Sequence, residues 1–126
     1  MAKILIIDDS KSVRTDLRGA LEASGHEVIE AEDGKSGLDA ILANRELALV
    51  ISDLHMPGFD GIEMLKKARA AMPVWNFKVF MLTTDTSEQL KAEGKAIGIT
   101  AWAIKPFDRT RLMGAVDKIL ALKASA

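Results

Sequence analysis

Apolar residues gather in four short, uninterrupted runs, Ile4 to Ile7, Leu47 to Ile51, Val79 to Leu82 and Ala101 to Ile104. Each run ends on chemistry: Asp8 and Asp9 after the first, Ser52 and Asp53 after the second, Thr83 and Thr84 after the third, Lys105 after the last. Short, β-branched-rich runs without alternation predict strands covered on both faces, as in a parallel sheet packed between helices. His26 to Ala31 reads as one further strand. Between the strands the period becomes helical. Val13, Leu17 and Leu21 recur at i, i+4 and i+8 behind Ser10 or Ser12 as a cap, with Gly25 where a helix stops. Asp33-Gly34 opens a second helix with an apolar stripe of Leu38, Ile41 and Leu42. Ile62, Leu65 and Ala68 or Arg69 mark a third, closed by Pro73. Thr86 or Ser87 caps a fourth that reaches about Ile97 and ends at Gly98. Leu112, Ala115, Val116, Ile119 and Leu120 define the last.

Five strands alternating with five helices predict an α/β protein. Parallel strands point one way, so their carboxyl ends share an edge, the edge at which ligands sit in open α/β sheets. Three acids, a hydroxyl and an ammonium group are expected there.

Bulk properties narrow the chemistry further. A chain of 126 residues fits one domain, residues 1–126, able to bury roughly two-thirds of its unfolded surface. With 17 Lys plus Arg against 18 Asp plus Glu, the net charge of −1 provides no global field for nucleic acid or anionic lipid. Cysteine is absent, which excludes disulfides and thiolate metal sites and suits a reducing compartment. The apolar runs fall far short of the about 18 residues of a membrane helix, so a cytoplasmic protein without membrane insertion is expected. Ala124-Ser125-Ala126 is expected to fray.

Three carboxylates at one edge repel each other, and keeping all of them ionised demands a cation or a raised pKa on one. Oxygen ligands favour Mg²⁺, which keeps several waters and works with phosphate oxygens. Together with Lys105 and a hydroxyl, that is the inventory for holding a phosphoryl group while charge moves. Asp53, alone at the end of the third strand, is the candidate nucleophile, and Asp8 and Asp9 read as a metal-holding pair.

The Asp8-Asp9 pair, Asp53 followed by Met56-Pro57-Gly58 and Asp60-Gly61, then Thr83 and Lys105-Pro106-Phe107, resemble the receiver domains of two-component response regulators, of the CheY type. The likeness covers essentially the whole chain, including the spacing between these points. It implies a single-domain, doubly wound five-stranded parallel sheet in the order 2-1-3-4-5 with five helices; CheY is a standard example of that order. It also implies that Asp53 takes a phosphoryl group from the phosphohistidine of a sensor histidine kinase. Asp9, Asp53 and the backbone carbonyl of His55 would coordinate Mg²⁺, with Asp8 acting through water. Lys105, joined to Pro106 by a cis bond, would pair with the phosphate, and Thr83 would swing toward it, vacating space for the aromatic residue of the fifth strand. That residue is Trp102, where the family often has Tyr or Phe; covering sheet surface is its other reading. Thr84, bulkier than the usual Ala or Gly, would flank the phosphate with His55 and Asp85 and alter its lifetime.

The implied partners are the kinase and a downstream effector, a flagellar motor switch protein or a phosphotransfer protein of a relay. A monomeric signalling switch is expected rather than an enzyme, catalysing only its own phosphorylation and dephosphorylation. Kinase docking is expected on the first helix near Ser12, Val13 and Leu17, and effector binding around the fourth helix, fifth strand and fifth helix. The opening Asp8 to Arg14 favours the chemotaxis group. A flavin site is excluded because two acids stand where a phosphate loop belongs. A Mg²⁺-dependent phosphatase with an aspartyl nucleophile would normally open on Asp-x-Asp. A docking-only relative is disfavoured by Asp9, Asp53, Thr83 and Lys105.

Overall fold

The computed structural model describes residues 2–85 and 87–122. Thr86 as a helix cap and the frayed Ala124-Ser125-Ala126 lie outside the described residues.

Strands β1 (Lys3–Ile7), β2 (Glu27–Ala31), β3 (Leu49–Asp53), β4 (Lys78–Thr83) and β5 (Ala101–Ile104) alternate with helices α1 (Lys11–Ala23), α2 (Gly34–Ala43), α3 (Gly61–Ala71), α4 (Glu88–Ile97) and α5 (Arg109–Ala121). All pairings are parallel and the order is β2-β1-β3-β4-β5, the doubly wound arrangement expected. Alternate strand residues feed two cores. Leu5, Ile7, Val50, Val79 and Met81 meet Ile41, Met64, Leu65 and Ala68 of α2 and α3. Ile4, Ile6, Leu49, Ile51, Phe80 and Leu82 meet Leu17, Leu21, Leu112, Val116 and Ile119 of α1 and α5. Burying one such side chain contributes about 1.5–3 kcal/mol, so the three central strands carry much of the stability.

Local chemistry sets the helix starts. Ser10, not Ser12, caps α1, its Oγ accepting from the Val13 amide. Asp33 caps α2 in a reciprocal box with Ser36, and Ser87 and Asp108 cap α4 and α5. Asp60, named above only as part of the Asp60-Gly61 motif, is the N-cap of α3 and accepts from Glu63 N at 2.8 Å. Gly98 closes α4 at φ 108, a left-handed conformation open to glycine at little cost.

Three expectations change. Full cover on both faces holds for the central strands only: β2 alternates buried and open positions, and β5, an edge strand, leaves Ile104 56% exposed. Leu42 is exposed rather than part of the α2 stripe; Gly37 takes its place beneath Ile7 and Met64. Leu17 is 2% exposed and belongs to the core, so it offers no docking surface. At the opposite edge from the strand carboxyl ends, Arg69 of α3 stacks on Trp75, 3.4 Å from its ring centre, and Trp75 stacks on Phe77. The same guanidinium donates to the carbonyls of Ile97 at 2.8 Å and Pro73 at 3.1 Å, tying the last turns of α3 and α4 together.

Candidate functional site

Register decides which side chains meet. Ile7 pairs with Ser52, so Asp8 and Asp53, each the next residue, come level on neighbouring strands. Asp53 pairs with Leu82 and Thr83 with Ile104, which brings Thr83 and Lys105 to the same edge. Carboxylate oxygens of Asp8, Asp9 and Asp53 lie within 4.8 Å of one another. The Lys105 ammonium bridges two of them, donating to Asp8 Oδ2 at 2.9 Å and standing 3.3 Å from Asp53 Oδ2.

Burial divides the acids. Asp8 is 1% exposed and Asp53 7%, whereas Asp9 is exposed. Asp8 is tethered further, its Oδ1 accepting from Ser10 N at 2.9 Å and its backbone carbonyl from Arg14 at 2.6 Å. Arg14 is itself held by Glu30 at 3.1 Å. Burial pushes the Asp53 carboxyl above the usual carboxylate range; Lys105 opposes this, and the charges of Asp8 and Asp9 add to it. Burial also disfavours the charged Lys105, but its hydrogen bond to Asp8 and the charges of Asp8 and Asp53 outweigh that and hold its pKa above the ordinary lysine value.

Thr83 is 2% exposed, and its hydroxyl accepts from the Asp85 amide at 2.9 Å. Thr84, Asp85 and His55 are exposed at the rim. The Asp85 carboxylate turns to Ser87 N at 2.9 Å, at the start of α4. Trp102 is partly buried on the face of the sheet that carries α2, α3 and α4. The Lys105–Pro106 bond is cis, and Phe107 packs on the α1 and α5 core.

Two contributors stand outside the candidate site residues read from the sequence. Arg14 reaches back from α1 to the strand carrying Asp8, and a Cβ at Gly61 would lie 2.9 Å from the Asp53 carbonyl, so glycine lets α3 start against the pocket. The Asp60-Gly61 pair marks the second; nothing in the sequence marks the first.

An acidic pocket with an adjacent lysine, on the carboxyl edge of a 2-1-3-4-5 sheet, is the plan of CheY-like signalling domains. The family model of the response regulator receiver domain matches residues 4–117, and the chain belongs to that family. Sporulation initiation phosphotransferase F of Bacillus subtilis is 33% identical over 98% of this chain and 97% of its own length. Chemotaxis protein CheY-3 of Vibrio cholerae is 32% identical, covering 93% of this chain and 90% of its own length. The structure of chemotaxis response regulator CheY4 of Vibrio cholerae matches with a TM-score of 0.85 at 38% identity, covering 94% of this chain and 98% of that one. Receiver domains hold Mg²⁺ in an acidic pocket and work among kinase and effector partners of the two-component kind. Asp8, Asp9 and Asp53 supply such a pocket here, all hard oxygen donors of the kind Mg²⁺ takes. Among the described residues no helix is long and apolar enough to cross a membrane.

Proposed function

We propose that residues 1–126 act as one receiver domain, a phosphorylation-driven switch of a two-component pathway in the cytoplasm, with Asp53 as the phosphoacceptor. The observation that carries this reading is the cluster of Asp8, Asp9 and Asp53 bridged by the Lys105 ammonium. An Asp53 oxygen attacks the phosphorus of a kinase phosphohistidine; the new O–P bond forms as the N–P bond breaks, and the imidazole leaves with the electron pair. Asp9, Asp53 and the His55 carbonyl would hold Mg²⁺, with Asp8 assisting from the same cluster. The ion, when bound, neutralises the acids and the phosphoryl oxygens. Lys105 keeps the position between Asp8 and Asp53 from which an ammonium group pairs with a phosphoryl oxygen. Water later attacks the same phosphorus, the bond from Asp53 oxygen to phosphorus breaks, and inorganic phosphate leaves as the carboxylate is regenerated, with His55, Thr84 and Asp85 at the rim setting the rate.

Thr83 then gives up its hydrogen bond with the Asp85 amide to donate to the phosphoryl group, and Trp102 follows. The α4, β5 and α5 surface is the output. Exposed Ile104 on that surface, and the likeness to chemotaxis regulators, support an effector such as a flagellar motor switch protein. Similarity to the Bacillus subtilis phosphotransferase supports a second reading, a relay intermediate that passes phosphate to a phosphotransfer protein. A sensor histidine kinase docks in either case on the exposed start of α1, at Ser12 and beside Val13.

Beryllofluoride, a phosphoryl mimic, tests the switch through tryptophan fluorescence. A change that requires Mg²⁺ and disappears in Asp53→Asn is expected. Equal responses of the two proteins would rule the reading out.

A further inference from the structure

Among the residues of α4 only Gly94 is buried, in the middle of the helix, where glycine is disfavoured relative to alanine. Its backbone does not need glycine: the glycines at positive φ are Gly25, Gly58 and Gly98. The requirement is space. A Cβ at position 94 would lie 2.4 Å from Cζ2 and 3.1 Å from Cη2 of Trp102, and 2.8 Å from Cδ1 of Ile99. The isoleucine methyl ends a flexible chain and can turn aside. The indole is a rigid plate steered by two torsions, and it would have to leave.

We propose that Gly94 is a positioning residue for the switch, a notch on α4 that seats the Trp102 indole and couples the placement of α4 against β5 to the position of that side chain. The inference rests on the function proposed above for Thr83 and Trp102. The two ends of α4 are held differently. Its last turn is fixed by the Arg69 bond to the Ile97 carbonyl and by Ile99 N donating to the Gly94 carbonyl at 2.9 Å. Its first turn hangs on a relay from Thr83 Oγ1 to Asp85 N, from Asp85 Oδ1 to Ser87 N, and from Ser87 Oγ to Leu90 N. When Thr83 turns away, that relay loosens at the start of the helix. When the indole leaves Gly94, the middle of the helix loses its contact with β5. The two events together free α4 to shift about its anchored end.

A urea-unfolding cycle of Gly94→Ala with Trp102→Ala reads the seat without any phosphate mimic. In the Trp102→Ala background the new methyl has room and helix propensity governs, so Gly94→Ala should raise the folding constant by about fivefold. With Trp102 present the same substitution should lower the urea midpoint. Trp102→Phe, whose shorter ring clears position 94, serves as the background should Trp102→Ala not fold. A stabilisation of equal size in both backgrounds overturns the seat.

Beryllofluoride titration with Mg²⁺ then reads the coupling. Because the added methyl penalises only the seated state, Gly94→Ala should bind the mimic more tightly than wild type, by roughly threefold or more. Unchanged or weaker affinity, alongside a normal wild-type response, removes Gly94 from the switch. A wild type that ignores beryllofluoride defeats the proposed function, and the switch role of Gly94 with it, whatever the unfolding cycle gives.

Discussion

The Asp53 carboxyl is held where its charged form is disfavoured, by burial first and then by two neighbouring acids, with Lys105 as partial relief. A carboxylate whose folded pKa lies above its unfolded one binds its proton more tightly when folded. Stability therefore falls as pH rises through the interval between the two values, and the penalty is fully present above the folded pKa. Asp53→Asn should raise the urea midpoint at neutral pH in metal-free buffer, and the gain should shrink as pH is lowered through the raised pKa. Saturating Mg²⁺ should reverse the order of the two proteins, since the ion stabilises only the pocket with its full set of charges. Lys105 contributes in the opposite sense. Its pKa is raised, so its stabilising contribution is complete below the ordinary value of 10.5 and is lost only as pH climbs past the folded value.

Helix α3 begins one residue after Asp60, and its first turn abuts the Asp53 carbonyl through Gly61. Replacing Asp60 by Ala removes the acceptor for the Glu63 amide and should cost about 1 kcal/mol in urea unfolding, while Asp60→Ser should recover most of it. Elements of this kind show which parts of the fold are legible in the chain. Helix starts at Ser10, Asp33 and Ser87 and the stop at Gly98 are local chemistry, and local chemistry is visible in sequence. Asp60 is ambiguous because Asp-Gly suits a turn and a cap equally. The edge position of β5 is not written in its own residues for a different reason: Ala101 to Ile104 has the composition of a central strand, and the strand order implied by the family resemblance, not the local pattern, decides which strand lacks a neighbour. Asp8, Asp53, Thr83 and Lys105 are legible because the last residues of parallel strands must share an edge. The unequal burial of Asp8 and Asp9, the reach of Arg14 and the Gly94 notch depend on approaches between distant segments, which no local pattern encodes.

At the scale of the molecule, the acidic pocket joins β1 to β3, so an ion bound there fastens the centre of the sheet. A ligand that binds only the folded state stabilises it by about 2.7 kcal/mol at 100 times its dissociation constant. Mg²⁺ at that level should raise the urea midpoint accordingly, and Asp9→Asn, at the exposed acid of the cluster, should remove most of the increase while leaving the metal-free stability close to wild type. The Lys105 bridge has a consequence for how the ion arrives. Three carboxylates and one ammonium leave two negative charges, the number a divalent cation cancels. The protein thus brings its own internal counter-ion on a flexible tether, and metal entry resembles the exchange of partners in a salt more than the filling of a bare anionic hole.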